Sequence, residues 1–271
     1  MQTTNSPLQA ASTPSKRNPR ANVPSGLSPR ARSDQKVCSV LALIYNWHVT
    51  AAPLVQEHLG TSETNYLVEL EKKGLVRHFN CPTLLCGRAY MLTADGLNAA
   101  AVATGIERRY SLHPASVSHT LLKHNLAAQR AGIRLAKEGH RVESGRQLSV
   151  TIGGKIPDAL IYPKDSGKTV AMELELTDKW GDELEQALNA HLVALNNGEW
   201  SGVYYASNDQ KLLENYKKRL EKPIRDWWQS QSDDRPKWMS GEQREVSDKQ
   251  QAKFVWHHVP DLLRGFERIY R

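Results

Sequence analysis

Residues 153–180 read GGKIPDALIYPKDSGKTVAMELELTDKW, and they contain three carboxylates at spacings that could serve one reaction. Strand alternation over Thr169 to Thr177 sends Met172, Leu174 and Leu176 to one face and Ala171, Glu173, Glu175 and Thr177 to the other. Glu173 and Glu175 thus project together, anchored by apolar side chains behind them. Asp158 stands 15 residues earlier, on a strand predicted from Ile156 to Tyr162. If the two strands form a hairpin, Asp158 arrives beside Glu173. Three carboxylates so close repel one another unless a cation joins them. Mg²⁺ and Mn²⁺ prefer oxygen ligands of this kind. Such ions can activate water and stabilise the leaving oxygen of a phosphodiester. Lys179 keeps the parity of the two glutamates and could neutralise charge on the phosphate in the transition state. The bland alternative is charged alternation on an exposed strand, since ExE alone carries almost no information.

The arrangement resembles the PD-(D/E)xK superfamily of restriction-endonuclease-like nucleases. Pro157-Asp158 fits the PD, and Glu173-Leu174-Glu175 fits the second half with Glu in place of the usual Lys. The resemblance implies Asp158, Glu173 and Glu175 as metal ligands and catalytic residues, with Lys179 as the displaced basic residue. Lys155 and Lys168 are substitutes for Lys179.

The elements that must position these residues follow from periodicity. A long helix starts at Ser118 or His119 and runs to Gly139, carrying His119 and His124 as secondary site candidates. Strands are expected at Leu148 to Ile152, Ile156 to Tyr162, Thr169 to Thr177, Gly202 to Ala206 and Phe254 to Val259. Helices are expected at Glu183 to Leu195 and Asp209 to Gln229. A sheet flanked by helices follows. Tyr204 and Tyr205 read as aromatic core or site rim, not as nucleophiles.

Ahead of this lies a second pattern. Val37, Val40, Leu41 and Ile44 recur at helical spacing, and Thr50 can cap a helix from Ala51 to Leu59 that Gly60 ends. Thr61 or Ser62 can cap a third helix closed by Gly74. Two strands, Leu75 to Phe79 and Arg88 to Leu92, flank the loop Asn80 to Gly87, and another helix follows from Leu92. The order is that of a winged helix-turn-helix, and the run YLVELEKKGLV…AYMLTADGLNAA looks like the recognition helix, wing and closing helix of winged-helix regulators. In such modules the third helix enters the major groove. Thr61, Ser62, Thr64 and Asn65 are the expected base readers, with Lys72, Lys73, Arg77 and Arg88 near phosphates. His78, Cys81 and Cys86 lie close together, but a structural zinc site wants four ligands with tighter pairing, so they read as wing residues.

The expected fold class is therefore α+β or α/β, a winged helix-turn-helix at 36–105 followed by a restriction-endonuclease-like α/β core at 106–271. Residues 1–35, rich in Ser, Thr, Pro and Arg, are expected to be disordered. Of the formal charge of +7, most sits before Val37, where six basic residues face Asp34 alone, a local net of +5. A basic arm suits phosphate tracking. Three cysteines do not suggest a disulfide framework, no apolar run approaches the roughly 18 residues of a membrane span, and no secretory signal is visible. A cytoplasmic protein without membrane insertion is expected.

The winged helix, then SHTLLKHNLAAQ, then IPDALI and VAMELELTDK, is similar to MobC-type (MOBC) plasmid mobilisation relaxases and to replication-relaxation proteins. The similarity covers about residues 36–210. It implies a single-strand nick at an origin of transfer, with a relaxosome accessory protein and the coupling protein of a secretion system as partners. Two competing readings stay open: a double-strand or transposon-type endonuclease, and a DNA-binding regulator of replication or transfer without catalysis.

Overall fold

The computed structural model describes residues 28–63, 65–82, 84–108, 111–148, 156–229 and 238–266. Helix α1 spans Pro29–Trp47. The Ser28 hydroxyl accepts the Ala31 amide at 3.1 Å, and Pro29 supplies a preset first turn. The helix thus begins several residues inside the stretch expected to be disordered, whose residues 1–27 lie outside the described part. Helix α1 packs against α4 (Ala94–Thr104), and its Val40, Leu41 and Ile44 are buried.

Helix α2 (Ala52–Leu59) ends at Gly60, whose φ of 63° supplies the left-handed turn. Thr50 does not cap it. Its backbone instead exchanges two hydrogen bonds with Tyr90, each 2.9 Å, adding a one-residue rung beside the hairpin of β1 (Val76–Asn80) and β2 (Arg88–Leu92). Helix α3 spans only Tyr66–Lys72. Asn65 occupies the cap position expected of Thr61 or Ser62, so those two residues belong to the turn before the helix.

The remainder is built on a five-stranded mixed sheet ordered β3-β4-β5-β6-β9. Helix α5 (His119–Lys137) leads into β3 (Arg141–Ser144), β4 (Ala159–Tyr162) and β5 (Val170–Leu174), an antiparallel meander. Helix α6 (Gly181–Asn196) crosses over to β6 (Gly202–Ser207), which lies parallel to β5. Helix α7 (Gln210–Leu220) follows, then a hairpin of β7 (Ile224–Gln229) and β8 (Trp238–Arg244), a short α8 (Asp248–Gln251) and the parallel edge strand β9 (Phe254–His258).

Two expectations change here. The helix predicted to Gln229 stops at Leu220, because Pro223 lacks the amide a helix needs and the following residues pair with β8. The first strand lies at Arg141–Ser144, and Leu148 only closes a short 3₁₀ turn, while residues 149–152 of the predicted strand lie outside the described part. Arg141 and Glu143 give β3 the polar face of an edge strand, which hides it from an apolar pattern.

The core is not divided at residue 105. One apolar cluster runs from Val40 and Ile44 through Leu92 and the α5 side chains Leu122 and Leu126 to Met172 and Leu174 on β5, and on to Leu262 and Phe266. A second cluster fills the other face of the sheet, with Leu160, Ala171, Leu188, Leu192, Leu212 and Tyr216. Among the described residues no helix is long and apolar enough to cross a membrane.

Candidate active site

The predicted alternation on β5 is present. Met172 and Leu174 pack into the cluster beneath α5, and Ala171 packs beneath α6 and α7. Glu173 and Glu175 follow the parity of Ala171 and are almost wholly buried, 4% and 3% exposed. Strand β5 formally ends at Leu174, but the Glu175 amide still donates to the Ala206 carbonyl at 2.9 Å, which fixes its direction.

The predicted hairpin also forms. Ala159 pairs with Met172, so the antiparallel register leads from β4 to Asp158 across from Glu173. Asp158 Oδ2 accepts the Leu174 amide at 2.8 Å. Gly145 braces this corner: its amide donates to the Asp158 carbonyl at 2.8 Å, and a Cβ there would stand 1.7 Å from the Pro157 carbonyl oxygen. Only glycine admits that approach. A cleft of about 190 Å³, lined by Trp47, Asn125, Ser144, Gly145 and Pro157, opens beside Asp158.

Two histidines complete the cluster. His124 Nε2 lies 2.9 Å from the Leu174 carbonyl and 3.4 Å from Asp158 Oδ2. Of the two candidates on α5, this one is at the site; His119 is the first residue of that helix, 18 residues before its end. The second histidine, His191 on α6, is fully buried, with Nε2 3.0 Å from Glu173 Oε1 and its ring against Trp200 and Tyr205. Sequence reasoning passed over it. Its signal was a lone histidine on the apolar stripe Leu184, Leu188, Leu195 of a helix.

Lys179 donates to Glu175 Oε1, but not by the strand parity expected of it. The chain has left the strand, and the lysine folds back through a turn that the Tyr216 hydroxyl holds by accepting the Lys179 amide at 3.3 Å. Lys168 is excluded as its substitute. It precedes β5 at the far end from the glutamates, five residues from Glu173, roughly 16 Å at strand rise. Lys155 lies outside the described residues.

Tyr205 pairs with Glu173 across β5 and β6 and is wholly buried. Burial, then the charges of Glu173 and Glu175, push its phenol far above the ordinary range, which removes it as a ready nucleophile. Its hydroxyl has no hydrogen-bond partner among the described residues, leaving a buried polar atom near the two carboxylates. Asp158, Glu173 and Glu175 are the oxygen donors here of the type that could hold a hard divalent ion. In the arrangement as folded, no group of three His, Cys, Asp or Glu among the described residues is placed to hold a metal.

The DNA-binding candidates are scattered along the first module. The Thr61 hydroxyl accepts the Glu63 amide at 3.2 Å, Ser62 is exposed, and Thr64 lies outside the described residues. Asn65 is exposed at the head of α3. Lys72 donates to Glu69 at 2.7 Å, Lys73 is exposed just past the helix, Arg77 is half-buried on β1 and Arg88 is exposed on β2. His78 Nδ1 lies 2.6 Å from Glu71 Oε1, Cys81 is buried, and burial pushes the Cys86 thiol up. No family model, no curated protein and no solved structure matches the chain.

Proposed function

We propose that the chain is a divalent-metal-dependent DNA endonuclease of the relaxase type, which binds and nicks a specific site of a mobile element. The observation that carries this reading is the pairing of Ala159 with Met172, which brings Asp158 to the end of the sheet where Glu173 and Glu175 lie. The element order α5-β3-β4-β5-α6-β6, with strands in the order 3-4-5-6, agrees with a restriction-endonuclease-like core. The order of helices and hairpin before it, with the extra rung at Thr50, agrees with a winged helix. Mg²⁺ or Mn²⁺ held by the three carboxylates would supply an activated water and stabilise the leaving oxygen. The protein groups then have separate tasks. His124 and the Leu174 amide orient Asp158, His191 orients Glu173, and Lys179 offers a positive charge. An origin-of-transfer-like DNA, a relaxosome accessory protein and a coupling protein are the partners this reading entails.

A second reading, a DNA-binding regulator without turnover, draws on a specific observation. The glutamates already hold His191 and Lys179, and no ready-made metal cluster exists among the described residues. Incubation with supercoiled plasmid in Mg²⁺, Mn²⁺ or chelator separates the two. Endonuclease action predicts metal-dependent nicking that Asp158→Asn and Glu173→Gln abolish while DNA binding persists. Full activity of both variants, or no cleavage with any divalent ion, would sink the nuclease reading. In a parallel salt titration, Lys73→Ala and Arg88→Ala should each flatten the log–log slope by roughly 0.9, and Asn65→Ala should reduce discrimination against random DNA.

A further inference from the structure

Beside the carboxylates lies a surface that shares only Lys179 with the cleavage chemistry. Trp180 directly follows Lys179 and is 73% exposed, a large indole left in solvent at the head of α6. It borders a cleft of about 210 Å³ whose other wall is α7 and the residues just past it, contributing Asn215, Lys218 and Lys222. Lys211, Asn215, Lys218 and Lys222 recur at i, i+4, i+7 and i+11, so they form one stripe along α7 and just past its end. The three lysines are exposed. On the same wall Arg219 is already committed to Glu185 and to the Pro223 carbonyl, so it holds the wall together. Asp178, the carboxylate lining the cleft, lies 3.5 Å from the Asn215 amide.

We infer that Trp180 and the α7 lysine stripe form a binding site for single-stranded DNA. An unpaired base would stack on the Trp180 indole, and the flanking phosphates would run along Lys211, Lys218 and Lys222. Aromatic platforms beside a basic track hold single strands in this way because every base has a π-face. In a duplex those faces are covered, so the indole discriminates against paired DNA. The site sits next to the cluster: Tyr216, on the same helix as Lys211 and Lys218, accepts the Lys179 amide, and the Lys179 ammonium holds Glu175. A strand seated here would pass its backbone close to the carboxylates. The inference thus deepens the endonuclease reading by assigning the form of DNA that the site holds.

The test measures binding of a fluorescent oligothymidylate by anisotropy, with the full chain in chelator, so cleavage cannot enter. Trp180→Ala should weaken binding about tenfold, in line with the loss of one stacked base, while Trp180→Phe should stay within about threefold of the wild type. An oligonucleotide with abasic sugars should bind the wild type about tenfold more weakly and should not distinguish it from Trp180→Ala. Lys218→Ala with Lys222→Ala should flatten the salt slope by about 1.4, at roughly 0.7 per contact on single strands. Unchanged affinity of Trp180→Ala, or Trp180→Phe no better than Ala, would overturn the site. So would an unaltered salt slope. The exposed indole has little packing to lose, and an unchanged melting temperature for Trp180→Ala confirms intact folding. Lack of metal-dependent nicking would remove the endonuclease reading and leave this binding result standing. Nicking together with normal binding by Trp180→Ala would remove only this inference.

Discussion

Two clusters of charged side chains, both touched by α5, are built on opposite rules. Where the first module meets the second, Arg130 and Arg134 from α5 meet Glu57 and Asp261. Arg130 Nε bonds Glu57 at 2.9 Å, its Nη1 bonds the Asp261 and Leu262 carbonyls at 3.1 and 2.7 Å, and its plane lies 4.4 Å over the Phe266 ring. Arg134 takes both Asp261 oxygens, at 2.7 and 2.9 Å. Two cations meet two anions, with forked donors matched to paired acceptors. At the other cluster, Asp158, Glu173 and Glu175 face Lys179, a formal charge of −2 with His124 and His191 counted neutral. A balanced, geometrically matched network is what a structural joint requires. An excess of like charge beside two buried glutamates lowers stability, and such like-charge arrangements are commoner at functional sites than at structural joints.

The comparison breaks most sharply on stability. Arg130→Ala leaves Glu57 to Arg134 alone and strands the Asp261 and Leu262 carbonyls, and removing one partner of a buried pair costs about 3–5 kcal/mol. Glu173→Gln removes excess charge while its amide keeps a hydrogen-bonding group near His191, so its change should stay within about 1 kcal/mol of zero. Urea denaturation of both variants measures the difference. Equal destabilisation would make the carboxylate cluster a second structural joint.

Lys179 gives the next largest effect. If it serves the reaction by neutralising phosphate charge, Lys179→Ala should slow single-turnover cleavage about 10²-fold, as loss of one transition-state contact does, with Lys179→Arg recovering part of it. A rate unaltered in Lys179→Ala would leave the residue as Glu175's counterion alone.

How much of this was legible depends on which residues carry local information. The pairing of Glu173 with Glu175 on one face could be read because strand period is fixed at two, and the hairpin to Asp158 because a short Pro-Lys-Asp-Ser-Gly-Lys turn separates two apolar runs. His191 could not be placed at Glu173 from sequence, since an α6 crossover decides which helical turn overlies which strand residue. Lys179 was assigned to the site by a parity it does not use. The shared core escaped notice for the same reason as the Arg130 network: Glu57 and Arg130 are 73 residues apart, and no local pattern joins them. Strands β3 and β8 were missed because both are rich in polar residues on exposed edges, where packing does not impose alternation.

The smallest expected effect concerns pH and tests whether the first module is as tightly sealed as the joint implies. His48 ends α1 with φ at 71°, and its Nε2 lies 2.8 Å from the Ser111 carbonyl. Burial holds its pKa below the ordinary value, and burial does the same for His58, which lies 2.7 Å from the Ser39 hydroxyl. Each folded-state value is lower than the unfolded one near 6.5, so the unfolded chain binds protons more readily. The stability these neutral rings provide is present above pH 6.5 and is lost as pH falls from there through the lowered folded values. Each ring contributes a slope of at most about 1.4 kcal/mol per pH unit. Asp261 behaves oppositely in position, though not in sign. Hydrogen bonds from Arg134 hold its carboxyl below the ordinary range, so its contribution is lost only as pH drops beneath about 4. The two windows are therefore separable in one titration of the unfolding midpoint. His48→Asn tests the assignment, because asparagine tolerates the left-handed backbone and can still donate to the Ser111 carbonyl. It should remove about half of the slope between pH 6.5 and 5 and leave the acid limb at Asp261 intact. A slope unaffected by His48→Asn would show that water reaches this ring, and that the first module opens more readily than the Arg130 network that fastens it.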